Sequence, residues 1–284
     1  MYTIQSSKPL NPVTLQMLAA QHTIAATHGL SCFVIGATAR DILMSHVFGI
    51  DATRATRDVD FAIALESWDQ FALIKQAFID TGDFQAVEHQ AHRLMYRPHE
   101  LGAAHPLDLI PFGLVERGEK KIAWPPDMQV MMNVAGYAEA LQTAIQVDVG
   151  GGLVVNVVCL PALAALKLLA WNERGLADSK DAQDLFFLLK HYQHAGNAAR
   201  LYEQAYSLVE ACGYDLALAG AALLGYDTKL ILADTTHAQL LAILNDAAKR
   251  DRLILHMDRS TGADSTIASR YLDQFERGLG LPGL

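Results

Sequence analysis

Asp58 and Asp60, one residue apart in the stretch TRDVDFAIAL (56–65), are the residues whose type and spacing first suggest chemistry. The stretch is rich in β-formers, and alternation along a strand puts both acids on one face. Val59, Phe61, Ile63 and Leu65 then take the other face. Two like charges about 7 Å apart on one strand face repel unless something positive stands between them. A divalent cation meets that need, since carboxylate oxygens are its ordinary ligands. A third acid, Asp108, interrupts the apolar run PLDLIPFG (106–113). A lone carboxylate there is costly unless compensated. Two compensations stand open, an arginine partner in the core or a place in a metal cluster with Asp58 and Asp60.

A third segment belongs with these. FVIGATARD (33–41) reads as a strand, a glycine and a helix start. Such a junction aims backbone N–H groups and the positive end of the helix at whatever lies above Gly36, and an anion suits that place. Three carboxylates on adjacent strands facing a helix N-terminus would suit one or two Mg²⁺ ions and a bound triphosphate. Arg40 is open to two readings, an ordinary helix-start pair with Asp41 or a phosphate anchor. Arg57 reads as a solvent-facing flank of the strand.

The elements that must position these residues follow from pattern. Asn11-Pro12 marks a helix start, and that helix stops near Gly29. Cys32 to Ile35 is a buried strand, followed by a helix from Ala37 to Val47. After the Asp58 strand comes a helix capped by Ser67 and ended by Gly82. Strands follow at 84–88, 93–97 and 107–112, then one strand in QVMMNVAG, a short helix in YAEALQTA and two strands around the glycine turn at 150–152. Beyond Pro161 helical periodicity takes over, with helices near 161–173, 179–192, 198–211, 236–249 and 264–278. The chain therefore divides into a mixed α/β part, 1–159, and an all-helical part, 160–284.

In these segments the chain resembles the nucleotidyltransferase superfamily typified by DNA polymerase β, and more closely its AbiEii-like branch, bacterial enzymes often found as toxins of toxin–antitoxin or phage-defence pairs. The matching residues are the Gly36 turn, Asp58-x-Asp60, Asp108, the Ala-Leu-Lys pattern ending at Lys167 in LPALAALKLLAWNERG, and Asp181-x-x-Asp184 in SKDAQDLFFLL. They span about Phe33 to Tyr192. The resemblance implies an α+β fold, a polymerase-β-like mixed sheet with flanking helices followed by a C-terminal helical domain that closes the active-site cleft. It also implies roles. Asp58, Asp60 and Asp108 would hold Mg²⁺ (or Mn²⁺), with Asp108 taking the proton from the attacking hydroxyl. Gly36, Ala37, Thr38 and Arg40 would hold the NTP. Lys167, steadied by Asp181, would reach the phosphates from the helical half. Ala37 departs from the superfamily, which carries Gly or Ser there, and Thr38 is the substitute hydroxyl. The implied partners are an NTP, an RNA acceptor such as a tRNA 3′ end, and an antitoxin protein.

Weaker signals lead elsewhere or nowhere. Lys167 lies among Leu163, Ala164, Leu166, Leu168 and Leu169, so snorkelling from a buried helix competes with phosphate contact. Asp181 and Asp184 sit where the helix dipole alone favours acids, and Asp184 reads as structural. His89 and His92 do not form a His-Glu-x-x-His zinc pattern, and GGG at 150–152 lacks the Lys-Ser/Thr of a P-loop. GLGLPG at 278–283 follows a helix and builds no dinucleotide site. KRDR at 249–252 reads as a solvated helix end. Cys32, Cys159 and Cys212 read as reduced thiols. No apolar run is long enough to span a membrane and no signal peptide is evident, which points to the cytoplasm.

The formal charge of −9, from 22 basic and 31 acidic residues, argues against broad nucleic-acid binding but leaves room for a local basic groove. Two alternatives to the RNA-directed enzyme are therefore kept: nucleotidyl transfer to a small aminoglycoside-like alcohol, and a non-catalytic binding protein on the same fold.

Overall fold

The computed structural model describes every residue except 53–55, 57, 98–102, 119 and 260–264, so the expectation for Arg57 lies outside the described residues. The chain divides into two compact units, Met1–Val158 and Cys159–Leu284.

The first unit is built on an eight-stranded mixed sheet. Its strands are β1 (Tyr2–Thr3), β2 (Cys32–Ile35), β3 (Val59–Leu65), β4 (Phe84–Val87), β5 (Gln90–Tyr96), β6 (His105–Gly113), β9 (Ile145–Asp148) and β10 (Val154–Val157), in the order β1-β9-β10-β2-β3-β6-β5-β4. A separate hairpin pairs β7 (Lys121–Ala123) with β8 (Met131–Asn133). At the centre β2 runs antiparallel to β3, β3 parallel to β6, and β6 antiparallel to β5. Phe33, Val34, Phe61, Ala62, Leu107 and Leu109 are fully buried there, as expected for strands covered on both faces.

Local signals place the helices. The Asn11 side chain accepts from Val13 N–H at the start of α1 (Pro12–His28), and Gly29 closes it in the left-handed conformation. Ser67 caps α3 (Trp68–Asp80) by accepting from Gln70 N–H. α2 (Gly36–Asp41) opens directly from β2 and continues into a π-helical turn, Ile42–Val47, where a single α-helix was expected. α4 (Tyr137–Gln142) is the short helix before β9.

The second unit is all-helical: α5 (Leu160–Arg174), α6 (Lys180–His191), a 3₁₀ turn at Tyr192–His194, α7 (Ala198–Glu203), α8 (Tyr206–Ala211), α9 (Leu216–Ile231), α10 (Asp234–Asn245), α11 (Ala247–Asp258) and α12 (Ser265–Gly280). A mixed sheet with flanking helices followed by helices alone is the architecture expected from the sequence. Several details differ. The helix expected over 198–211 is two helices broken at Gln204 and Ala205, and β1, β7, α9 and α11 were not foreseen. The KRDR run at 249–252, expected as a solvated helix end, lies in the first turns of α11, where Arg250 pairs with Asp273 and Glu276 and Arg252 lies over the Trp171 ring. Among the described residues no helix is long and apolar enough to cross a membrane.

Candidate active site

Strand register brings the first set of site residues together. Ile35 lies opposite Asp60, Asp60 opposite Asp108, and Asp108 opposite Arg93, a single row across β2, β3, β6 and β5. Directly opposed residues on paired strands share a face. Asp60, Asp108 and Arg93 therefore stand side by side on one side of the sheet. Asp58 falls one residue short of β3 and is exposed, so the strand expected to carry both acids carries only Asp60.

Gly36 shapes the space beside this row. Its φ is +70°, and a Cβ there would stand 2.1 Å from Asp60 Oδ2. Only glycine permits both the backbone conformation and the approach of that carboxylate. The neighbouring residues are committed to holding it. Thr38 is buried, and its hydroxyl donates to the Asp58 carbonyl oxygen at 2.6 Å, tying the helix start to the residue that carries the first acid. The hydroxyl expected to replace a missing phosphate contact thus fixes the Asp58 backbone instead. Arg40 is buried as well and donates through Nε and Nη2 to Asp41 Oδ1, the helix-start pair of its two readings.

Asp108 is compensated by an arginine. Arg93 Nε donates to Oδ1 and Nη2 to Oδ2, both at 2.7 Å, a fork-to-fork pair between adjacent strands. The pKa of Arg93 is raised, first by its hydrogen bonding to Asp108 and further by the charges of Asp108, Asp58 and Asp60, against the opposing effect of burial. All three acids thus act on one guanidinium. The sequence reading missed Arg93, placing it only as the first residue of a strand. The signal that could have found it is the pairing of β5 with β6, which no local pattern specifies.

Three carboxylates are a hard oxygen donor set of the kind that takes Mg²⁺, Mn²⁺ or Ca²⁺. The carboxylate chemistry of the three acids, with Asp60 and Asp108 brought to one face by strand register, suits such an ion, while the space a Cβ on Gly36 would take is filled by the Asp60 carboxylate itself. Among the described residues no three acids, histidines or cysteines converge as a ligand group, and both Asp108 oxygens are turned to Arg93.

The second unit holds the other predicted residues in a cluster of its own. Lys167 on α5 is buried, and its Nζ donates to Asp181 Oδ1 at 3.1 Å and Asp184 Oδ2 at 2.6 Å, both on α6. Arg174 adds a second fork to Asp181, at 2.6 and 3.0 Å. Burial works against the Lys167 ammonium, but the two carboxylates outweigh it and hold its pKa above the usual lysine value. Burial likewise works against the Asp181 carboxylate, and Lys167 and Arg174 overcome it, lowering its pKa to about 2. Lys167 therefore does not snorkel to water. Two of its three N–H donors are engaged, and Asp184 is the closer partner of the two.

The first unit's mixed sheet, with its row of acids beside a glycine turn, and the helical unit after it define the chain as a protein of nucleotidyltransferase type. It belongs to the family described as "Nucleotidyl transferase AbiEii toxin, Type IV TA system", whose model matches residues 19–267. No curated protein sequence matches the chain. Among solved structures, an antigenic nucleotidyltransferase-like protein from Paracoccidioides brasiliensis is similar at 17% identity and a TM-score of 0.42, over 73% of this chain and 93% of its own. The antibiotic-resistance factor ANT(2'')-Ia is similar at 14% identity and a TM-score of 0.37, over 70% and 98%. A tRNA-processing enzyme in an apo form is similar at 14% identity and a TM-score of 0.22, over 88% and 79%.

Proposed function

We propose that the protein transfers a nucleotidyl group from an NTP to an acceptor hydroxyl, with release of pyrophosphate, and that it does so as the toxin of a toxin–antitoxin pair. The observation that carries this reading is the register of Asp60 opposite Asp108 beside the Gly36 turn. Asp58, Asp60 and Asp108 would hold Mg²⁺ or Mn²⁺, which supplies Lewis-acid stabilisation of charge on the transferring phosphoryl group.

The chain's own residues then divide the remaining work. Backbone N–H groups at Gly36, Ala37 and Thr38 would face the triphosphate, at the helix start that Arg40 and Asp41 brace by their ion pair. Asp108 accepts the proton of the attacking hydroxyl at a carboxylate oxygen, a role typically worth 10²–10⁴-fold in rate. Lys167 offers its third N–H to a phosphate oxygen, held rigid by Asp181 and Asp184. The acceptor we favour is RNA, a tRNA 3′ end above all, and the partner is a cognate antitoxin protein.

The test is labelled NTP with Mg²⁺, purified protein and a cell extract. Label should appear in the RNA fraction with the wild type and be absent with Asp60→Asn. Label in a small cationic alcohol would transfer the reading to a drug-modifying enzyme. No label from any of the four NTPs in any fraction would overturn nucleotidyl transfer.

A further inference from the structure

Arg93 is the charged residue of the cross-strand row that the proposed chemistry does not use. Asp60, Asp108 and Arg93 occupy one cross-strand row, and Asp58 is near enough to act on the same guanidinium. Without a counter-charge these acids repel one another. Arg93 answers that repulsion from within the sheet by engaging both oxygens of Asp108. A divalent ion on Asp108 would need oxygen lone pairs from the same carboxylate. It would also place two positive charges beside the guanidinium. The two cations therefore oppose each other at one carboxylate. Arg93 can yield, because its side chain is 29% exposed against 11% for Asp108, so it can turn to water without burying its charge.

We propose that Arg93 is the resident counter-cation of the metal-free site, held on Asp108 until a divalent ion displaces it, so that it sets the metal concentration at which the site loads. This inference rests on the metal-site reading above and concerns the regulation of that site. The competing arrangement is a static scaffold, in which the guanidinium stays on Asp108 and orients it for the metal. The two differ in sign. A displaced counter-cation weakens metal binding, whereas a scaffold strengthens it.

The full-length wild type, Arg93→Gln and Arg93→Lys are titrated with Mn²⁺, and free ion is read by electron paramagnetic resonance. Arg93→Gln should bind Mn²⁺ about tenfold more tightly or better, and its metal-free form should melt at a lower temperature. Arg93→Lys, which keeps the charge without the fork, should fall between. Equal or weaker Mn²⁺ binding by Arg93→Gln, with measurable binding by the wild type, overturns the counter-cation alone. No Mn²⁺ binding by the wild type overturns the metal-site reading and this inference with it. Should Arg93→Gln fail to fold, the wild type decides. The Arg93 Nε–H resonance of ¹⁵N-arginine-labelled protein, assigned through Arg93→Lys, must lose its hydrogen-bonded shift at saturating Mg²⁺. An unmoved resonance would establish the scaffold.

Discussion

At single residues, the tightest constraint in the first unit is steric and lies at Gly36, with φ +70° and Asp60 Oδ2 where a side chain would go. Gly36→Ala brings about 1–2 kcal/mol of left-handed backbone cost and pushes the Asp60 carboxylate out of the row. A misplacement of about 1 Å can cost about 100-fold in rate, so the variant should keep its circular dichroism and lose at least that much transfer activity. Near wild-type turnover would separate Gly36 from the chemistry. In the second unit the constraint is electrostatic. Asp181 titrates at about 2 in the folded chain against 3.8 for the free group. The unfolded chain therefore takes up its proton first as pH falls. The stabilisation is complete above about pH 5 and is lost between about pH 4 and 2, and at 1.36 kcal/mol per pKa unit it is on the order of 2 kcal/mol. Lys167 works in the opposite sense, its contribution lasting through neutrality and fading only above its raised pKa. Urea unfolding should show Asp181→Asn less stable by roughly that 2 kcal/mol at pH 6, with the gap closing towards pH 2. A gap that is constant with pH would mean the carboxylate is not the source.

Secondary-structure elements were legible where sequence signals are local. Asn11 and Gly29 bracket α1, Ser67 opens α3, and the strand–Gly36–helix junction stands as read. Asp60 and Asp108 were legible as acids in apolar strands, while their Arg93 partner depended on which strands pair, a long-range property. The helix α9 escaped for a different reason. Its sequence, LALAGAALLGYDTKLI, is apolar on nearly every side, so it has no amphipathic stripe to detect, and two glycines lower its propensity. Packing explains both features. A Cβ on Gly225 would stand 2.0 Å from the Phe275 carbonyl oxygen, and one on Gly278 would stand 2.0 Å from that of Ala222, so α9 and α12 touch backbone to backbone. Gly225→Ala gains about 1 kcal/mol of helix propensity. It forces the two helices apart, an overpacking that costs about 1–3 kcal/mol and more where backbone must move. The net change should be destabilising, read as a lower denaturant midpoint. A raised midpoint would show that α9 and α12 separate freely.

For the whole molecule, the residues of the proposal fall in both units, Asp58, Asp60 and Asp108 in Met1–Val158 and Lys167 and Asp181 in Cys159–Leu284, so each ligand can be read by the unit it protects. A divalent ion alone has its carboxylates in the first unit. Ligand binding stabilises by RT ln(1 + [L]/Kd), about 2.7 kcal/mol at 100 times Kd. Amides of β3 and β6 that exchange by cooperative opening of their unit should therefore gain roughly 100-fold protection with Mg²⁺ at that level. Amides of α5 and α6 should be unchanged. An unreactive NTP analogue added with Mg²⁺ reaches Lys167 as well, and only then should protection rise in α5 and α6. Hydrogen exchange read by mass spectrometry resolves the two units within one sample, and Asp60→Asn should remove the Mg²⁺ effect. Protection rising in both units with Mg²⁺ alone would mean that they open as one. Protection confined to β3 and β6 even with the analogue would remove Lys167 and Asp181 from the nucleotide site, leaving their buried cluster as a fastening between α5 and α6.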